Sequence, residues 1–472
     1  MKNKSDNENT KKSMSLNVIT GIISIIVSLF TTLIISRIIS TDDLGIATSF
    51  ISLKSILTII CILSIQTAIN RMLIDVEEKN EYRYLSSIYI ISSLACVLFC
   101  GIYLIFRNYL NILFGFDTKL MILMFLMIFF TNGITILFNY WTFKNKYIQS
   151  TIYNMLSVPI AQILSVIIIY FMNNNKYLGR IVGLSVFDVI LGFVCGILIL
   201  KRGKFSFNKE YIKKSLKICI PMIPHLLSQV ILASCDLIMI KNIVGNSSAG
   251  IYSMAYTISN ILYTILIKIM IAWSPWVYRQ IKNNKINIIY DASKYIASLT
   301  FYLCLGLITV APEMIKIFLP EEYYAAGNIV YPICIGIFFQ IMYIFFYDIE
   351  YYKKKNLQIS AFSVLAAIFN IITNYIFINK FGYVAAAYTT LAGYLLLTIM
   401  HYFGMRKVDN RKFYNIGYFI LLSVCLILIM AILNITNNNI LIRYSLLIIL
   451  TIYYLIKYKE IILEYIKKIK KK

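Results

Sequence analysis

Runs of about twenty apolar residues recur from one end of this sequence to the other, and a helix of that length can cross a bilayer. Hydrophobic residues make up 60% of the 472 residues and charged residues only 14%, whereas a soluble chain carries roughly 25% charged residues. A length that would otherwise suggest about three soluble domains therefore predicts one polytopic membrane protein. No segment between the runs is long enough for a separate soluble domain.

The same runs predict the fold class. Hydrocarbon offers backbone groups no partner, so each run should form a helix, and the alternating pattern of a membrane β-barrel is absent. We expect an all-α membrane protein with about fourteen transmembrane helices, at residues 15–39, 45–69, 84–106, 119–142, 147–171, 177–200, 215–243, 250–277, 292–318, 327–350, 357–379, 383–405, 413–433 and 439–457. The first run is read as a retained helix, because it is longer than the apolar core of a signal peptide and has no small-residue cleavage site.

Basic residues are distributed unevenly over the predicted loops. Of the 45 Lys and Arg residues, 34 lie in the two termini and the loops of one side, and nine lie on the other side. Because Lys and Arg favour cytoplasmic loops, both termini are expected in the cytoplasm. This distribution accounts for the net charge of +24 without a nucleic-acid partner. The nine Cys show no metal-binding or disulfide spacing and are read as small apolar packing residues.

Segments of the first half recur in the second half. The matched segments are 36–38 and Gly45 with 240–242 and Gly250, 146–149 with 355–358, and 176–179 with 379–382. Their offsets are 205 residues for the two glycines, 209 and 203. We therefore expect two six-helix bundles, at 1–210 and 211–410, followed by two additional helices and a basic tail at 411–472. Repeated halves are typical of transporters, whose substrate path lies between the repeats.

Four charged residues fall well inside predicted helices: Lys54, Asp188, Asp236 and Lys268. A charge at the bilayer centre costs about 2.5–3.5 kcal/mol on insertion scales, so such residues are usually kept for a partner or a cavity. The two lysines are candidate substrate ligands, and pairing with Asp188 or Asp236 is the structural alternative. The two acids are candidate sites for a coupling ion.

Four motifs follow one another over nearly the whole chain. They are Arg37 with Asp43-Leu44-Gly45 and Arg71; Pro221 with 236–240, Gly250, Tyr252 and Tyr256; 318–323; and Asn370 with Asn374 and 381–387. In order and spacing they resemble the polysaccharide flippases of the MOP superfamily, the Wzx type that moves lipid-linked oligosaccharide units.

The resemblance implies alternating-access export of a polyprenyl-diphosphate-linked oligosaccharide to the outer leaflet of the cell membrane, for a surface polysaccharide such as a capsule or the O-antigen of lipopolysaccharide. It adds Arg37, Arg71 and Asp236 to the candidate substrate ligands, and Lys241, near the outer surface, is a further candidate. Arginine suits a diphosphate because its planar fork donates two hydrogen bonds at once. Near helix ends, Arg37, Arg71 and Lys241 also suit a role as interface anchors. No catalytic residue, metal or cofactor is expected. Membrane lipids are expected partners, and polysaccharide polymerases and glycosyltransferases are candidate partners.

Two other functions stay open. A multidrug cation exporter of the same superfamily would need an acidic cavity, whereas this chain places Lys54 and Lys268 in helices. A membrane glycosyltransferase or ligase would use Asp42 and Asp43 in the first outer loop, but that loop is short. A lipid II carrier is a special case of the flippase.

The charge asymmetry predicts that the 201–217 loop faces the cytoplasm. We expect a single cysteine at position 208, in an otherwise cysteine-free chain, to resist an impermeant thiol reagent added to intact cells and to react after permeabilisation. Labelling from outside intact cells would overturn the topology.

Overall fold

The computed structural model describes residues 26–144, 147–436 and 439–457. Over these ranges the helices of the first part of the chain are α1 Ile26–Ile38, α2 Thr41–Cys61, α3 Gln66–Asp75, α4 Glu81–Ile105, α5 Arg107–Phe114, α6 Thr118–Phe143, α7 Tyr147–Tyr170, α8 Lys176–Arg202, α9 Lys209–Cys219 and α10 Ile223–Ile243. The later helices are α11 Asn246–Lys282, α12 Ile286–Phe318, α13 Gly327–Tyr352, α14 Asn356–Phe381, α15 Val384–Val408, α16 Ile416–Ile435 and α17 Ile440–Lys457.

Twelve helical segments of the described residues are long and apolar enough to cross a membrane. Two shorter apolar helices, Ile26–Ile38 and Ile440–Ile452, lie at the positions of the first and last predicted helices. No strand occurs within the described ranges. The prediction of a multi-pass, all-α membrane protein with about fourteen helices is therefore confirmed.

The second predicted helix is interrupted, so its continuity over 45–69 was predicted wrongly. Between α2 and α3, Leu63 and Ser64 take left-handed backbone conformations with φ of 55° and 47°. The buried Ser64 compensates for the lost helical bonds, because its backbone N–H and its hydroxyl both donate to the carbonyl of Ile59, at 3.0 and 3.1 Å. The chain therefore turns inside an apolar segment with its polar groups still paired.

The predicted start of the seventh helix is also divided. The amphipathic α9 is separated from α10 by a 3₁₀ turn over Ile220–Met222. Pro221 lies in this turn and Pro224 in the first turn of α10, where a missing backbone donor is harmless. An additional short helix, α5, follows α4.

The chain forms two compact units. Unit 1 comprises 1–254, 319–323 and 357–393, and unit 2 comprises 255–318, 324–356 and 394–472. In unit 1, one apolar core surrounds Phe50 and Met124, and a second surrounds Tyr84 and Leu137. In unit 2, α13 is the most deeply buried helix, with Tyr331, Phe338 and Phe345 fully buried. The predicted halves at 1–210 and 211–410 stay a prediction. The two compact units are defined by which helices pack together, and this does not test whether the two halves are repeats.

Two glycines of unit 1 bring the start of α2 against the start of α11. A Cβ on Gly45 would lie 1.9 Å from the carbonyl oxygen of Asn246, and a Cβ on Gly250 would lie 2.0 Å from that of Thr41. Gly45 thus lies against Asn246, four positions before Gly250, and Gly250 lies against Thr41, four positions before Gly45. Gly45 and Gly250 are 205 residues apart, and so are Thr41 and Asn246. The contact is reciprocal, as it would be between two copies of one duplicated segment.

We predict that Gly45→Ala lowers the melting temperature of the purified protein. Overpacking a close contact typically costs about 1–3 kcal/mol, and backbone atoms cannot move aside as a side chain can. The matched control is Gly101→Ala in α4, where an added Cβ meets no atom within 4 Å and helix propensity favours alanine. Equal melting temperatures for the two variants would show that the contact is not close.

Candidate functional site

Asp236 of α10 is a buried carboxylate held by neutral donors from three other helices. The hydroxyls of Tyr252 and Thr390 donate to its Oδ2, at 2.7 and 2.6 Å, and Asn374 Nδ2 donates to its Oδ1 at 2.7 Å. Only 1% of the residue is exposed. The carboxylate therefore accepts three hydrogen bonds far from bulk water.

A second layer of hydrogen bonds fixes these donors. Asn374 Nδ2 also donates to Asn370 Oδ1 at 3.2 Å, and Asn370 Nδ2 donates to Thr390 Oγ1 at 3.1 Å. The Thr389 hydroxyl donates to Asn374 Oδ1. We call Asp236, Tyr252, Asn370, Asn374, Thr389 and Thr390 the Asp236 cluster. It joins residues from the second and fourth sequence motifs, which were noted separately in the sequence.

No basic side chain of the described residues forms an ion pair with Asp236. Burying an ionised carboxylate without a counter-charge is expensive, even with hydrogen bonds. The cluster offers one carboxylate, amide oxygens and hydroxyl oxygens, which are hard donors suited to a small cation. Chemically, it can take up a proton or such a cation, and either would neutralise the buried charge.

Lys54 belongs to a second polar cluster in unit 1. Its Nζ donates to Ser185 Oγ on α8 at 3.1 Å, and it is electrostatically attracted by Asp188 on the same helix. Asp188 Oδ1 in turn accepts from the Tyr153 hydroxyl on α7 at 3.1 Å. Lys54 and Asp188 are only half buried. The two predicted residues thus lie together and keep some access from outside the helix packing.

Lys241 has a structural contact that its sequence context did not reveal. Its ammonium donates to the carbonyl of Gly115 and lies 3.8 Å from the centre of the Phe116 ring. Gly115 is left-handed, with φ of 67°, and ends α5. A lysine at this carbonyl stabilises the end of a helix, so Lys241 fixes the loop after α5.

The remaining predicted ligands do not join either cluster. Arg37 and Arg71 are exposed on α1 and α3 in unit 1, and Lys268 is exposed on α11 in unit 2. None of the three takes part in a hydrogen bond or ion pair recorded for the described residues. Their roles as ligands stay predictions.

A buried ion pair in unit 2 was not predicted. Arg443 of α17 donates from Nη1 to Glu313 Oε2 and to the carbonyl of Thr309, both at 2.9 Å, and from Nη2 to Glu313 Oε1. Only 4% of Arg443 is exposed. The sequence signal was Glu313 near the end of the predicted helix 292–318 and Arg443 near the start of the predicted helix 439–457. This two-point contact anchors α17 to α12.

Solved structures that this chain resembles include a flippase and two transporters. The chain resembles "Lipid II flippase MurJ, inward closed conformation" with a TM-score of 0.71 and 18% identity, over 95% of this chain and 100% of that one. It resembles an inward-facing multidrug resistance MATE family transporter of the MOP superfamily with a TM-score of 0.58 and 13% identity, over 82% and 97% of the two chains. A third likeness is to a MOP superfamily transporter from Pyrococcus furiosus, with a TM-score of 0.52 and 14% identity, over 84% and 95%.

These likenesses define the class: a multi-pass membrane protein with the fold of the MOP-superfamily transporters. The family follows from the sequence. Residues 10–281 match the family described as "Polysaccharide biosynthesis protein", and the chain belongs to that family. No curated protein sequence matches the chain. The family expected from the four motifs is therefore confirmed.

Proposed function

We propose that the protein is a flippase that moves polyprenyl-diphosphate-linked oligosaccharide units from the cytoplasmic to the outer leaflet by alternating access. Such a head group cannot cross hydrocarbon unaided, because its charges and hydroxyls have no partners there. Membership of the polysaccharide biosynthesis family and the fold shared with a protein described as a lipid II flippase support this proposal. The carried unit is then a precursor of a surface polysaccharide, such as a capsule or O-antigen.

The observation that carries the proposal is the half-buried Lys54 within a membrane-spanning helix. Lys54 forms no ion pair recorded for the described residues, although Asp188 lies near enough to attract it. Lys54 instead contacts a neutral hydroxyl at Ser185 and keeps exposed surface. A partly exposed cation within a membrane-spanning helix attracts a diphosphate. The same charge repels the cationic cargo of a multidrug exporter.

The enzymatic alternative gains no support from the two acids at the first outer loop. Asp42 and Asp43 lie in the first turn of α2, where Ser40 caps the helix by accepting from the backbone N–H of Asp43 at 3.2 Å. Acids in a first turn stabilise the helix by interacting with its dipole. Their position has a structural explanation without a catalytic role.

We predict that Lys54→Ala and Arg71→Ala reduce flipping at least tenfold without reducing the amount of protein in the membrane. Losing an interaction with a charged partner typically costs about 1.5–3 kcal/mol, whereas removing a charge from an apolar helix favours insertion. Flipping is followed with a fluorescent lipid-linked sugar in reconstituted vesicles. Lys119→Ala, at an exposed lysine near the start of α6, is the matched control.

Loss of membrane protein in step with loss of flipping would assign Lys54 and Arg71 a structural role instead. Equal activity losses in Lys119→Ala would show that any basic residue matters and would remove the ligand assignment.

We further propose the Asp236 cluster as the site where a coupling cation or proton is taken up. Asp188 is the second candidate, but it already lies beside Lys54, which supplies a positive charge. Asp236 has hydrogen-bond donors and no recorded cationic partner among the described residues. Binding of a cation would therefore neutralise a buried negative charge at Asp236, whereas at Asp188 the charge of Lys54 already offsets the carboxylate.

We predict that export weakens when the membrane potential is collapsed at constant pH. Each elementary charge is worth about 2.3 kcal/mol per 100 mV, so a diphosphate with two charges could gain roughly 4–5 kcal/mol on leaving a negative cytoplasm. The assay uses the same vesicles, with valinomycin and potassium setting the potential. Equal rates at zero and about 100 mV would contradict electrogenic export.

A sodium or proton gradient applied at zero potential separates the two proposals. Stimulation that Asp236→Asn abolishes and Asp188→Asn retains would support coupling at the Asp236 cluster. Stimulation that survives Asp236→Asn would exclude the cluster as the coupling site and leave the flippase proposal intact.

A further inference from the structure

The segment 201–217, between α8 and α10, is the most strongly basic loop of the chain. It contains seven Lys or Arg residues and one acid, Glu210. Glu210 forms an ion pair with Lys214 at 2.6 Å. Five lysines in this segment are exposed and form no ion pair recorded for the described residues: Lys201, Lys204, Lys209, Lys213 and Lys217. We call 201–217 the basic loop.

Within the basic loop, α9 has a buried face and a charged face. Ile212, Ser215 and Cys219 are buried, and α9 packs against α3 and α4. The Ser215 hydroxyl lies 3.3 Å from that of Tyr84, and Cys219 Sγ lies 3.8 Å from the carbonyl of Ile65. A helix held along one side in this way presents its other side in a fixed orientation. Lys209, Lys213 and Lys217 follow each other at intervals of four residues and so share that side.

The turn before α9 is held to α4 by hydrogen bonds and displays two phenylalanines. Ser87 of α4 fixes it, because Ser87 Oγ accepts from the backbone N–H of Asn208 at 3.0 Å and its hydroxyl proton is shared between the carbonyls of Arg83 and Ser206, at 2.8 and 3.0 Å. Phe205 and Phe207 flank Ser206 and remain 65% and 49% exposed.

The turn also carries backbone strain. Lys204 and Phe205 take left-handed conformations with φ of 53° and 50°, which side-chain-bearing residues rarely adopt. A strained backbone is maintained only where the surrounding structure imposes it. Here the imposed geometry holds a large apolar ring outward.

The basic loop lies at the boundary of the membrane. It follows α8, a 27-residue apolar span that ends at Arg202. The segment from Lys209 to Ile243 contains 35 residues and would be about 52 Å long as one helix, whereas the hydrocarbon core is only about 30 Å thick. Since α10 alone is long enough to span most of this core, α9 is left at the surface.

We propose that the basic loop is a binding surface for anionic phospholipid head groups of the leaflet that it faces, which is the inner leaflet in the predicted topology. The lysines contact the head-group phosphates, and Phe205 and Phe207 insert at the boundary between head groups and acyl chains. Basic side chains combined with aromatic anchors bind anionic bilayer surfaces in this way. Two exposed rings between lysines at a membrane boundary do not suit a water-soluble anion, which would contact the lysines alone.

The test measures lipid binding to the purified full-length protein by native mass spectrometry, with phosphatidylglycerol as the anionic probe and phosphatidylcholine as the zwitterionic probe. We expect the unmodified protein to prefer phosphatidylglycerol. Replacing Lys209, Lys213 and Lys217 together with Gln should weaken its binding by at least about tenfold and leave phosphatidylcholine unchanged. Phe205→Ser with Phe207→Ser should weaken the binding of both lipids.

The matched control removes the same charge elsewhere, by replacing the exposed Lys285, Lys354 and Lys355 with Gln. We expect its phosphatidylglycerol affinity to stay within about twofold, because each lysine acts only within a Debye length of the bound head group. An equal loss in this control, or equal affinities of the unmodified protein for the two lipids, would overturn the proposal. If the triple variant of α9 fails to fold, Lys213→Gln alone must still reduce the preference for phosphatidylglycerol.

Discussion

Hydrocarbon provides no hydrogen-bond partners, and this constraint governs how the polar groups of this chain are arranged. It explains why the chain can leave helical geometry at Leu63 and Ser64 in an otherwise apolar segment: Ile59 accepts two hydrogen bonds from Ser64. The carbonyl of Ile65, just beyond the turn, lies against the thiol of Cys219. The irregular backbone is therefore enclosed by protein, and α9 contributes to that enclosure from the membrane boundary.

The same constraint separates three ways of keeping a charge among apolar helices. Arg443 and Glu313 neutralise each other through a two-point contact, which leaves no charge for a ligand. Asp236 is surrounded by neutral donors, which stabilise a carboxylate but do not neutralise it. Lys54 keeps exposed surface beside a hydroxyl. The first arrangement suits a structural role, whereas the other two leave charge that an ion or an anionic head group can satisfy.

The sequence predicts those features of the structure that depend on the length of an apolar run or on a single charged residue within it. The fourteen helices and the candidate residues Lys54, Asp188 and Asp236 follow from these features. The break between α2 and α3 was missed because residues 62–65 contain neither Gly nor Pro, so nothing local opposes a helix. The Asp236 cluster was noted only in parts, because Asn374 and Thr390 lie 138 and 154 residues from Asp236 and their pairing depends on tertiary packing. Lys241 was read from its charge, and its contact with Gly115 required the position of α5.

The reciprocal contact of Gly45 and Gly250 bears on how far the predicted duplication has diverged. With the 205-residue offset of these glycines, Leu63 at the break corresponds to Lys268 in α11. The first copy interrupts its helix there, whereas α11 continues unbroken over 37 residues and carries a charge at that position. In α11 the residue that removes a helical donor is Pro275, seven positions after Lys268. If the protein works by the proposed alternating access, the two segments therefore differ in where they can bend: at the break between α2 and α3 in the first, and at Pro275 in the second.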